Sequence, residues 1–102
     1  MTSRIRHSQS QGDVRTAVIT GASRGLGFAS AVELYRRGWR VLAAMRSAAA
    51  GLELLREATG ARKGDPRLQG IALDLLDPDA VQSAADAILE AGGAPDALVH
   101  NA

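Results

Sequence analysis

Four short apolar runs, separated by three stretches with helical spacing, set the strongest limit on what these 102 residues can fold into. Val14–Thr20 is β-branched and stops at Gly21, which is strand vocabulary followed by a breaker. Phe28, Ala31, Val32 and Tyr35 then recur on one face of a helix, Glu33 and Arg37 pair at i, i+4, and Gly38 ends the element. Arg40–Met45 is a second strand, and Ala48–Ala58 is a second helix with Leu52 and Leu55 on its apolar side. A loop over Gly60–Arg67 leads to a third strand, Leu68–Leu73. Asp77 as N-cap and Pro78 at the first helical position open the third helix. Its apolar side carries Val81, Ala84, Ala85, Ile88 and Leu89, Gly92-Gly93 ends it, and Ala97–Asn101 is the fourth strand. Alternation of this kind requires parallel strands joined by right-handed crossovers. The expected fold class is α/β, a doubly wound parallel sheet of about four strands in the order 3-2-1-4.

Composition narrows the function. There is no cysteine, which excludes a disulfide scaffold, a thiolate metal site and a thiol nucleophile. Two histidines, His7 and His100, are too few for a histidine metal cage. Twelve basic against 11 acidic side chains favour no polyanionic partner, and three aromatic residues supply no stacking platform for nucleic acid. No apolar run approaches the roughly 20 residues of a membrane span, and no apolar segment follows Arg4 and Arg6 as a secretory signal would need. The expectation is a cytoplasmic domain without nucleic-acid or membrane partners. Residues 1–13 are polar and aperiodic and read as a flexible tail, leaving 14–102 as the folded part.

The first strand runs directly into Thr20-Gly21-Ala22-Ser23-Arg24-Gly25-Leu26-Gly27, which opens the first helix. Glycines permit a tight turn and close approach of a ligand, and the helix N-terminus presents unpaired N–H groups to an anion. The G-x-G-x-x-G spacing fails at Ser23 and Phe28, and the Walker turn fails because no Lys-Ser or Lys-Thr follows Gly27. Gly21-Ala22-Ser23-Arg24-Gly25 does match G-x-S-x-G, with Asp96 and His100 following in hydrolase order. That reading is disfavoured because the turn follows the first strand and Gly27 has no role in it.

Thr-Gly-x-x-x-Gly-x-Gly resembles the cofactor signature of the short-chain dehydrogenase/reductase family. Further features of that family occur in order: Met45-Arg46 after the second strand, Asp74-Leu75 after the third, and His100-Asn101-Ala102 at the fourth, where the family carries Asn-Asn-Ala-Gly. The resemblance implies a Rossmann-like fold. It further implies that backbone groups of Gly21, Gly25 and Gly27 hold a pyrophosphate, with the Ser23 hydroxyl and the Leu26 N–H beside it. Asp74 and Leu75 would meet the adenine, and Asn101 and Ala102 the adenosine side. An NAD enzyme of this kind needs an acid about 20 residues beyond the turn, but Met45 stands there. Arg46 follows it and Arg24 lies in the turn, two guanidinium groups suited to a 2′-phosphate, so NADP is expected over NAD.

The family's catalytic Ser and Tyr-x-x-x-Lys lie beyond the fourth strand. Here the only tyrosine, Tyr35, is followed four residues later by Trp39, and the only lysine, Lys63, is in a loop. The expectation is therefore the NADP-binding N-terminal part of an oxidoreductase that transfers hydride between carbonyl and alcohol, inactive by itself. Its small-molecule substrate and any homo-oligomer contacts would depend on further C-terminal sequence. The alternatives are a stand-alone nucleotide-binding module and the Ser23 hydrolase. The fourth strand is expected to be an open parallel edge, with one sheet face covered by a single helix.

Overall fold

The runs of β-branched and small apolar residues form the centre of a sheet because they are buried on both faces, as parallel strands must be. In the computed structural model, which describes residues 2–5, 14–92 and 94–101, the elements run in order as β1 (Thr2–Ile5), β2 (Thr16–Thr20), α1 (Gly25–Arg36), β3 (Arg40–Met45), α2 (Ala48–Thr59), β4 (Leu68–Ala72), α3 (Pro78–Gly92) and β5 (Ala97–His100). The sheet order is β1-β5-β2-β3-β4. β4, β3, β2 and β5 are mutually parallel, so the 3-2-1-4 winding expected of the four sequence-derived strands is present.

Side-chain alternation along the strands divides the core. Ile19, Val41, Ala43, Met45 and Val99 face α1 and α2, where Ala31 and Leu55 complete a buried layer. Val18, Leu42, Ala44 and Ile71 face the other way, onto Ala84 of α3. Helix ends follow local chemistry. Asp77 Oδ1 accepts the N–H groups of Asp79 and Ala80, as an N-cap should, and Gly60 closes α2 at φ +76°.

Two expectations are corrected here. The polar N-terminus was expected to be a tail through residue 13, but Thr2–Ile5 pairs antiparallel with β5, Thr2 opposite His100 and Ile5 opposite Ala97. Residues 6–13 lie outside the described residues. β5 is consequently not the open parallel edge that was expected. The physical reason is that strand pairing satisfies backbone groups and needs no apolar side chains, so polarity and lack of period do not reveal it. β5 runs through His100, after which the Asn101 N–H turns onto the Thr20 hydroxyl.

Candidate cofactor site

In a parallel sheet all strand C-termini open on one rim. The chain winds from β2 toward β3 and β4 on one side and returns to β5 on the other, so a crevice forms at that reversal. A cleft of about 650 Å³ lies at this rim. Gly21, Ser23, Arg24, Gly25 and Leu26 line it from the β2–α1 turn, Arg46 from the end of β3, Asp74 and Leu75 from the end of β4, and Asn101 from beyond β5. Residues spread over 80 positions of sequence thus share one cavity. Gly27 does not line it but packs against Gly21 and Asn101, which do, and Ala102 lies outside the described residues.

The turn has the features of an anion cradle. Gly21 and Gly25 adopt φ +64° and +61°, which L side chains tolerate poorly. A Cβ on Gly21 would strike the Asn101 carbonyl, and one on Gly27 would strike the Gly21 carbonyl and stand 2.8 Å from Asn101 Nδ2. Arg24 occupies the N-cap of α1 in extended conformation and gives no side-chain cap, and the first turn holds no acidic residue. The leading N–H groups of α1 therefore remain available, with the positive end of the helix behind them. These residues fit a dinucleotide pyrophosphate.

Two guanidinium groups and one carboxylate, those of Arg24, Arg46 and Asp74, line the cleft. Arg24 and Arg46 are both exposed, and among the described residues neither forms an ion pair. Asp74 has a second duty: its Oδ1 accepts the Leu76 N–H at 3.0 Å, which closes the turn after β4. One carboxylate oxygen is thereby committed to the loop. Leu75 stands 60% exposed at the cleft wall, so its apolar surface is open to a ligand.

Ser47 reaches the site without having been singled out from sequence, and Met45 has a contact there that the sequence did not indicate. Ser47 lines the cleft as the N-cap of α2 and makes no capping bond with its hydroxyl. A serine directly after Arg46 and before a helical period was the available signal. Met45 also lines the cleft, and its thioether rests against Gly51, where a Cβ would displace it. No local pattern could have indicated that contact.

The hydrolase alternative is overturned by placement. Asp96 accepts the Thr16 N–H at 2.9 Å at the start of β5, whereas His100 contacts Thr20 at its far end. A four-residue strand separates them, roughly 13 Å at 3.3 Å per residue. Tyr35 is likewise remote from the cleft rim, in the last turn of α1, where its hydroxyl donates to Asp65.

Comparison with known proteins accords with this architecture. The profile of the family described as short chain dehydrogenase matches residues 15–102. Dehydrogenase/reductase SDR family member 13 of Homo sapiens is 41% identical over 92 residues, covering 86% of this chain and 23% of the relative. Menthone neomenthol reductase from Mentha piperita superposes with a TM-score of 0.76 at 34% identity, over 87% of this chain and 31% of that one. A metagenomic short-chain oxidoreductase in complex with NADP gives 0.70 at 36% identity, over 86% and 38%. The chain spans about a quarter to two fifths of the length of these relatives. With the glycine turn, the winding and the profile match all in the same 88 residues, 15 through 102, this chain belongs to the short-chain dehydrogenase family.

Proposed function

We propose that this chain is the NADP(H)-binding part of a short-chain oxidoreductase that interconverts a carbonyl and an alcohol on a small molecule. One observation carries the cofactor choice. Arg24 and Arg46 flank a single cleft in which Met45 occupies the place of the ribose-binding acid of NAD enzymes. A 2′-phosphate between two guanidinium groups gains charge-assisted hydrogen bonds that a ribose hydroxyl cannot match. The NADP complex of one structural neighbour supports the same reading.

The roles of the residues follow from their positions. The α1 N-terminus and the Gly21–Gly27 backbone hold the pyrophosphate, and Ser23 and Ser47 offer hydroxyls to phosphate or ribose oxygens. The free oxygen of Asp74 accepts from the adenine amino group, while Leu75 covers the ring. Bound in this way, the dinucleotide supplies the hydride donor or acceptor. The acid–base group for carbonyl reduction is not among these residues. The sole tyrosine is held by Asp65 away from the rim, and that hydrogen bond, burial and the carboxylate charge together raise its pKa.

Calorimetric titration tests this reading. NADPH should bind about 10- to 100-fold more tightly than NADH, the span of one hydrogen bond to a charged group. Arg46→Asp should abolish or invert that preference. Equal affinities for the two nucleotides in the unsubstituted protein would sink the NADP assignment.

A further inference from the structure

A chain of hydrogen bonds runs behind the cleft from β5 to the glycine turn. His100 Nδ1 lies 2.8 Å from Thr20 Oγ1, the Asn101 N–H donates to the same oxygen at 3.1 Å, and Asn101 Nδ2 donates to the Gly21 carbonyl at 3.2 Å. His100 does not line the cleft, and its side chain reaches it through Thr20.

Counting protons assigns the roles. A threonine hydroxyl has one proton and two lone pairs, and a neutral imidazole has one donor and one acceptor nitrogen. The Asn101 N–H takes one lone pair of Oγ1. If Nδ1 also donated, Oγ1 would accept twice and its own proton would find no acceptor among the described residues, in a half-buried position. If Nδ1 is bare, Thr20 donates once and accepts once, and every contact at Oγ1 is matched. Leaving a half-buried donor without a partner is costly, so the imidazole proton belongs on Nε2.

We propose that His100 is a positioning residue for nucleotide binding. Its bare Nδ1 orients the Thr20 hydroxyl, Thr20 Oγ1 fixes the Asn101 backbone, and the Asn101 carboxamide anchors Gly21 beneath the phosphate-binding turn. The inference rests on the reading above that this turn binds a dinucleotide. Coupling is direct because Asn101 packs on the bare Cα positions of Gly21 and Gly27, with no side chain between. Asparagine at position 100 would carry its Oδ1 one bond beyond Cγ, where imidazole carries Nδ1, so it can keep the acceptor; leucine cannot.

The experiment combines nitrogen-15 NMR of labelled histidine, amide hydrogen exchange at Asn101 and NADPH titration. Only His7 and His100 are present in the sequence, so one His7→Gln variant assigns the spectrum. His100 should show the Nε2–H tautomer. His100→Leu should speed Asn101 exchange and weaken NADPH binding, each about 2- to 10-fold, the span of one hydrogen bond. His100→Asn should restore both. A protonated Nδ1 in the neutral imidazole, unchanged exchange and affinity in His100→Leu, or no rescue by His100→Asn would each overturn the proposal. The tautomer and exchange rates are read without nucleotide. Failure of the unsubstituted protein to bind NADPH would therefore overturn the functional reading and the nucleotide-binding role, while the relay itself is decided separately.

Discussion

At single residues, the glycines of the turn differ in what they protect. Gly21 combines a left-handed backbone with a Cβ position already filled by the Asn101 carbonyl, whereas Gly25 has the same kind of φ but open space around it. Gly21→Ala should therefore cost more than the roughly 1–2 kcal/mol of a left-handed alanine. Thermal unfolding should show it less stable than Gly25→Ala, with the greater loss of NADPH affinity. Equal behaviour of the two variants would refute the packing argument. All three turn glycines were legible in the sequence, because strand, breaker and helix adjoin them. Gly51 was not, since its reason is the Met45 thioether contributed by another element. Thr20 and His100 were visible as motif members, but their hydrogen bond depends on β2 and β5 lying side by side.

Among the elements, α1 and the loop before β4 are joined by Tyr35, Asp65 and Arg67. The Tyr35 hydroxyl donates to Asp65, the Arg67 guanidinium lies 4.3 Å over the Tyr35 ring centroid, and Arg67 Nη1 donates to the Tyr35 carbonyl at 3.1 Å. The hydrogen bond from Tyr35, with another from the Arg67 backbone, lowers the Asp65 pKa; the same bond raises that of Tyr35. A depressed carboxylate stabilises the fold above its ordinary value of 3.8 and loses that contribution as pH falls through the lower folded value. A raised phenol contributes below 10.0 and loses it as pH climbs through the higher folded value. The link should thus support the fold across the neutral range and fade at both extremes. Denaturant midpoints followed against pH should fall less steeply at both ends for Tyr35→Phe than for the unsubstituted protein. Parallel profiles would count against it. Periodicity placed Tyr35 on the apolar face of α1, yet its partner lies 30 residues away in a loop without period.

For the whole molecule, β1 matters because, among the described residues, it is the strand that pairs with the outer ladder of β5, which carries the exposed Leu98 (43%). Removal of Thr2–Ile5 should leave that edge free to pair with other chains, producing concentration-dependent association in light scattering. Scattering that matches the intact protein at every concentration would exclude an edge-covering role. The four parallel strands, the three helices and the glycine turn were determined by sequence alone, because apolar period, capping residues and breakers act over a few positions. So was the family, since its signature is a set of local motifs in order. Tertiary structure alone decided that β1 pairs with β5, that Asp96 and His100 stand at opposite ends of one strand, and that Arg24, Arg46, Asp74 and Asn101 share a cleft. Each of these depends on which strands become neighbours, and that is set by crossovers and backbone pairing between segments tens of residues apart.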